Sequence, residues 1–172
     1  YWMHHGFITI EATKIAKSLG NGIRLTQLRE RGYHPLVYRY WLLGGHYRTQ
    51  MNFTFEALDG AKQAWFRLRR HMFEEYKVES GGAISKAYWD EFFAAVSNDL
   101  DTPKALAVVW SVINDKTLSA KDKVATLLEM DTVLGIGLSE STDTAMRSVG
   151  VVTVESLPPR VQELLLNREE AR

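Results

Sequence analysis

The chain has 172 residues, 45% of them apolar, with 21 Lys and Arg against 21 Asp and Glu. That length supports one ordinary hydrophobic core, or a small core with an appendage, and zero net charge excludes a global field drawing in nucleic acid, so any RNA contact must be local. Absence of cysteine excludes disulfides and thiolate metal sites within the segment and fits the cytoplasm.

The chain opens Tyr1-Trp2-Met3-His4-His5-Gly6, which has neither the basic nor the apolar region of a signal peptide and reads as the middle of a longer polypeptide. No run approaches the roughly eighteen apolar residues of a membrane helix, so a soluble chain is expected. Residues 6–10 are a candidate strand: Gly6 punctuates, and Phe7-Ile8-Thr9-Ile10 is apolar and rich in β-branched residues. A compact cationic loop, Lys14-Ile15-Ala16-Lys17-Ser18-Leu19-Gly20-Asn21, comes next. Leu25 to Arg31 suits a short helix closed by Gly32. Pro35 fits a helix's first turn, Leu36, Tyr40 and Leu43 recur at helical spacing, and Gly44-Gly45 gives a stop.

Thr54 can cap a long helix with Leu58, Trp65, Leu68, Met72 and Tyr76 along one side and Lys62, Arg67, Arg69 and Arg70 elsewhere. After Gly81-Gly82, Ser85 caps a segment expected to bury Tyr88, Trp89, Phe92, Phe93 and Val96 on one flank. Asp101-Thr102-Pro103 starts a helix with Leu106, Val109, Trp110 and Ile113 as its apolar stripe. Ser119-x-x-Asp122 resembles a capping box before Val124, Leu127, Leu128 and Leu134. The four helices between Thr54 and Leu134 should bury their stripes together as a bundle. Residues 135–157 read as a loop or linker, and a last helix is expected after Pro158-Pro159.

The cationic loop carries the chemistry. Two lysines three apart, followed by Ser, Gly and Asn, can set mobile ammonium groups and backbone N–H donors around a polyphosphate as its charge grows. Taken alone, the same pattern also describes a solvated turn. Read in order, Trp2-Met3-His4-His5-Gly6-Phe7-Ile8, Lys14 to Asn21, Leu36 to Leu43, His46-Tyr47-Arg48, Asn52-Phe53, Asp99 to Leu106 and Leu157-Pro158-Pro159 to Arg172 resemble the cysteinyl-tRNA synthetases, over nearly the whole chain. The resemblance implies the C-terminal part of a class I synthetase, beginning just before its second signature loop.

Residues 14–18 then stand at the Lys-Met-Ser-Lys-Ser signature, with Ile15 for Met, which keeps an apolar anchor, and Ala16 for the first Ser, which deletes a hydroxyl. What the resemblance implies is a catalytic Lys17 and ATP contacts from Lys14, Lys17 and Ser18. It also implies a mainly α fold: a helical bundle of the anticodon-binding type, preceded by the short strand, signature loop and short helices that end the catalytic domain. The expected divisions are 1–52 for that end and its junction, 53–134 for the bundle, and 135–172 for linker and C-terminal helix.

The partners implied are tRNA(Cys), L-cysteine and ATP, with no DNA and no membrane, for a cytoplasmic monomer. The family's zinc is held by residues before this segment, so no metal is expected here, and without the upstream half the chain alone should not aminoacylate. A mycothiol-pathway cysteine ligase is the alternative.

The remaining clusters have structural explanations beside functional ones. Arg67, Arg69 and Arg70, with Lys77 and His71 nearby, can face tRNA phosphates or simply form a solvated helix face paired with Glu74, Glu75 and Glu79, while Trp65 and Tyr76 at helical spacing read as core. His4 and His5 point to opposite faces of a strand and cannot chelate one ion together. Asp90, Glu91, Asp99 and Asp101 imply no cleft, and capping accounts for Asp101. No Ser/His/Asp arrangement, Walker loop or dinucleotide fingerprint occurs.

Overall fold

The computed structural model describes residues 2–14, 22–77 and 81–139. Three short strands form one sheet in the order β2-β1-β3. β1 (Ile8–Ile10) turns through Glu11 (φ 47°) and Ala12 (φ 61°) into β2 (Thr13–Lys14). That two-residue turn with both φ positive has the twist an antiparallel hairpin needs, and it pairs Thr9 with Lys14 and Ile10 with Thr13. On its other edge β1 runs parallel to β3 (Met51–Phe53), matching Ile8 with Met51, Thr9 with Asn52 and Ile10 with Phe53.

The parallel connection contains two helices, as a crossover requires. α1 (Leu25–Glu30) starts where the Gln27 side chain accepts from the Arg24 amide (2.8 Å) and stops at Gly32, whose φ of 77° takes the left-handed turn. α2 (Pro35–Leu43) has Pro35 in its first turn, and His34 caps it by accepting the Leu36 N–H at 3.1 Å. The imidazole also stacks on Trp65, ring centroids 5.2 Å apart. His34 is thus both a cap and a packing residue.

Thr54 Oγ1 accepts from the Ala57 N–H (3.1 Å) and opens α3 (Phe55–Arg70). The helix then widens into a π turn over His71–Glu75, closed by the Tyr76 N–H donating to the His71 carbonyl at 2.9 Å. Met72 and Tyr76 stay buried through the wider turn, on the side of the helix that carries Leu58, Trp65 and Leu68.

α4 (Lys86–Ser97), α5 (Thr102–Asn114) and α6 (Ala120–Leu134) pack on one another, and α2 packs against both α3 and α5. The protein is mainly helical, as expected from the periodicity. A single apolar cluster runs from Leu28 and Val37 through Phe53 to Leu127 and Leu134. Trp41 and Phe55 both meet Phe53 edge-on, at 5.4 and 5.5 Å, so the sheet is attached to the helices by aromatic packing.

Three expectations need correction. Phe93 does not share the buried flank of Phe92; neighbours on a helix point about 100° apart, and Phe93 is 56% exposed. Arg69 does not lie on a solvated face but is wholly buried. Its guanidinium sits over the Trp65 ring at 4.6 Å and donates to the Gly137 carbonyl. Lastly, residues 135–139 are not a loose linker. Gly135 (φ 60°) ends α6 in the left-handed conformation, and the Asp131 carboxylate accepts the Ile136 and Leu138 amides at 2.7 Å each. Both side chains are buried. The rest of that segment and the helix expected after Pro159 lie outside the described residues.

Capping at Ser119 differs in detail. Its hydroxyl accepts the Asp122 N–H (3.2 Å), but the Asp122 carboxylate reaches the Ala83 amide (2.7 Å) and so ties the segment before α4 to α6. Beside that tie, a Cβ added to Gly82 would fall on the Lys121 carbonyl, a backbone atom held at the start of α6. Gly82→Ala is therefore expected to destabilise the chain by about 1–3 kcal/mol in urea titration. An unchanged midpoint would show that the approach is looser than described.

Candidate functional site

The β1–β2 hairpin, which ends at Lys14 where the cationic stretch begins, is tied down at its root from β3. Asn52 Oδ1 accepts the Ala12 N–H at 2.7 Å and the Thr9 hydroxyl at 3.0 Å, and the Glu11 N–H donates to the Phe53 carbonyl at 3.0 Å. Lys14 is the last residue of β2; Lys17 and Ser18 lie outside the described residues. Beyond the loop the chain returns at Gly22 and Ile23, which with Ile10, Glu11, Gln27 and Arg31 line a cleft of about 400 Å³. The returning chain thus lines a concave place together with Ile10 and Glu11 of the tethered hairpin.

A second candidate lies along α3 and the π turn. Asp59, Lys62, Gln63, Phe66, Arg67, Arg70 and Glu74 border an open groove of about 650 Å³. Arg67 lies over the Trp110 ring at 4.6 Å, and Arg70 approaches Glu74 at 4.0 Å, one helical turn on. Lys62 sits 4.9 Å over Tyr33. The Tyr33 hydroxyl donates to Asp59 at 2.7 Å, and burial first, then this bond, pushes the phenol up to about 12. The structure thus brings Arg67 and Arg70 together at one surface and withdraws Arg69 into the core. Trp65 and Tyr76 are core residues, as their spacing indicates. His71 pairs with Glu75 at 2.7 Å.

A third cluster joins segments about fifty residues apart. The Asp99 carboxylate accepts from Tyr47 Oη at 2.5 Å and from Arg48 Nε and Nη2 at 2.7 and 3.0 Å, with His46 Nε2 at 3.8 Å. The Arg48 hydrogen bonds, followed by the Tyr47 hydroxyl, hold its carboxyl down at about 2. The same contact raises the Arg48 guanidinium still further. Sequence reading set Asp99 aside as an acid without a cleft; its partners and Asn52 stand only among the segments that carry the family resemblance, and no periodicity predicts that they meet.

Among the described residues no three His, Asp or Glu side chains are placed to hold a metal ion, and no helix is long and apolar enough to cross a membrane.

Comparison with known proteins assigns the class first: residues 1–63 match the family model for the tRNA synthetases class I (C) catalytic domain. Among curated relatives, cysteine–tRNA ligase 1 of Burkholderia lata is 40% identical over 173 residues, covering all of this chain and 34% of its own length. The cysteine–tRNA ligase of Treponema denticola is 30% identical, covering all of this chain and 39% of itself, and that of Novosphingobium aromaticivorans 35%, covering 99% and 36%. The chain therefore belongs to the cysteinyl-tRNA synthetase family, and it spans little more than a third of the length of the relatives it matches.

The Asp99 cluster has a pH signature. Because its folded pKa is depressed, whatever the ionised carboxylate contributes is complete above the ordinary carboxylate range near 4 and is lost as pH falls through about 2. The melting-temperature difference between the native chain and Asp99→Asn should be full at about pH 5, shrink as pH falls below about 4, and vanish only below about pH 2. An Asp99 side-chain titration observed by NMR with its midpoint near 4 would contradict the cluster.

Proposed function

We propose that the polypeptide to which this chain belongs ligates L-cysteine to tRNA(Cys) using ATP, in the cytoplasm and as a monomer, and that residues 14–18 supply the ATP-binding loop. The observation that carries this reading is the match to cysteine–tRNA ligases along the whole chain, with a signature-like loop rooted on a tethered hairpin. Adenylation needs orientation and stabilisation of a leaving pyrophosphate more than covalent help from the protein. An ammonium on a short loop suits that task. Lys17 is assigned the catalytic contact, with Lys14 and Ser18 as further ATP contacts. Ala16 cannot donate a side-chain hydrogen bond, so the loop must act through its two lysines, Ser18 and backbone N–H groups. The chemistry ATP supplies is an activated carboxyl on cysteine; the chain's own part is to hold the triphosphate in place. Family zinc belongs to residues outside this chain.

The α3 groove is proposed as the tRNA-facing surface, with Arg67 and Arg70 on phosphates and Arg69 supporting them from inside. Residues 1–52 would then close the catalytic part, 53–134 form the bundle of anticodon-binding type, and 135–172 follow it. The relatives are named as tRNA ligases, so the mycothiol-pathway alternative is not favoured.

Two measurements test the reading. In the polypeptide that carries this chain, Lys17→Ala should lower cysteine-dependent ATP–pyrophosphate exchange by about 10²-fold or more, whereas the 172-residue chain alone should give none; exchange by the isolated chain would contradict the assignment of the other half-site elsewhere. For RNA, Arg67→Ala and Arg70→Ala should each weaken binding of tRNA(Cys) to the chain and reduce the slope of log affinity against log salt by about one. A slope unchanged in both variants would remove these residues from the interface.

A further inference from the structure

Packing is incomplete at the seam where the loop-bearing sheet meets the α4–α5 turn. There a mostly apolar cleft of about 250 Å³ opens between Gly6, Leu43 and Met51 on one side and Leu100 and Thr102 on the other. Thr102 Oγ1 reaches the Gly45 carbonyl only at 3.4 Å. What bridges the seam is Asp99, taking both Arg48 nitrogens and the Tyr47 hydroxyl on its two oxygens.

Two features separate this contact from an ordinary surface ion pair. Exposed pairs of this kind contribute little to stability, and the Arg48 and Asp99 side chains are 63% and 46% exposed, so burial adds little. Yet the turn that presents the carboxylate holds two consecutive non-glycine residues, Asp99 (φ 55°) and Leu100 (φ 54°), in the left-handed region. That conformation disfavours L residues, and leucine more than aspartate. Conformational strain is thus stored at an exposed turn for one aimed carboxylate, which points to geometry and not stability as its use.

The two ends of the contact lead to the two candidate sites. Three residues after Arg48, β3 begins, and its Asn52 and Phe53 hold the Ala12 and Glu11 amides at the loop's root. Two residues after Asp99, Asp101 caps α5 by accepting the Lys104 N–H at 3.1 Å, and α5 carries the Trp110 ring beneath Arg67. We propose that Asp99 is a positioning residue: through Arg48 and Tyr47 it fixes β3, and hence the root of the loop, at a set distance from the cations of α3. What the loop and the cations bind rests on the function proposed above; the positioning itself does not.

Asp99→Asn is the informative variant, because asparagine also tolerates the left-handed backbone while the charge and one of the two acceptor oxygens that hold Arg48 and Tyr47 are removed. Hydrogen exchange of the 172-residue chain followed by NMR should show the Glu11 and Ala12 amides, which Asp99 does not touch, exchanging at least about tenfold faster, with the α6 amides unchanged. A clamp of local importance alone would move amides near 46–49 and 98–102 and leave Glu11 and Ala12 at their native rates; that result overturns the proposal, as would native rates throughout. Should Lys17→Ala leave adenylate formation intact while Glu11 and Ala12 still respond to Asp99→Asn, the functional reading falls and the positioning stands. The opposite pattern removes the positioning alone.

Discussion

The parallel pairing of β1 with β3 is the constraint on which the rest depends. β1 has only three residues, and a hairpin of that size is marginal in water without a surface to pack on. β3 supplies it, because Phe53 is fixed among Trp41 and Phe55 and therefore belongs to the helical core. The hairpin inherits its orientation from that core through a register of three residue pairs. A slip of one residue would turn Ile8 and Ile10 away from the helices and move Asn52 off the Ala12 amide.

The helical part meets a different demand, keeping charge outside while one arginine stays inside. Burying a guanidinium without partners is costly, and Arg69 meets that cost with two aromatic faces and the Gly137 carbonyl. Its contact with Gly137, with that of Trp65 Nε1 to the Ile136 carbonyl at 2.9 Å, pins the segment after α6 onto α3. The neighbouring Arg67 and Arg70 remain at the surface, where they are available to an anionic partner. The π turn continues α3 with Met72 and Tyr76 still buried, and it places Glu74 at the edge of the same groove.

Periodicity made the helices legible. Pro35, Thr54 and Asp101 mark starts because each satisfies or removes an orphan amide, and the stripes from Leu58 to Tyr76 and from Leu106 to Ile113 face the core as spacing predicts. Phase errors account for Phe93, and composition misled at residues 135–139, where two glycines suggest looseness but Asp131 organises the backbone. Arg69 was not legible, because its burial depends on a ring and a carbonyl contributed by distant turns. For the site, the proposal of a phosphate-binding loop rests on its lysines, serine and glycine and on the family resemblance. Asn52 and Asp99 could not be given roles, since the value of a lone amide or carboxylate lies in contacts forty or more residues away.

A direct observation of the hydrogen bond that fastens the loop's root to the helical core tests this account most closely. Through-hydrogen-bond scalar coupling between the Glu11 amide nitrogen and the Phe53 carbonyl carbon, measured in the isotopically labelled chain, should be present alongside Ile10–Phe53 cross-strand nuclear Overhauser contacts. Their absence from spectra in which the α2 and α3 amides give well-formed helical signals would mean that the hairpin is not held on the core, and the placement of the loop would fail with it.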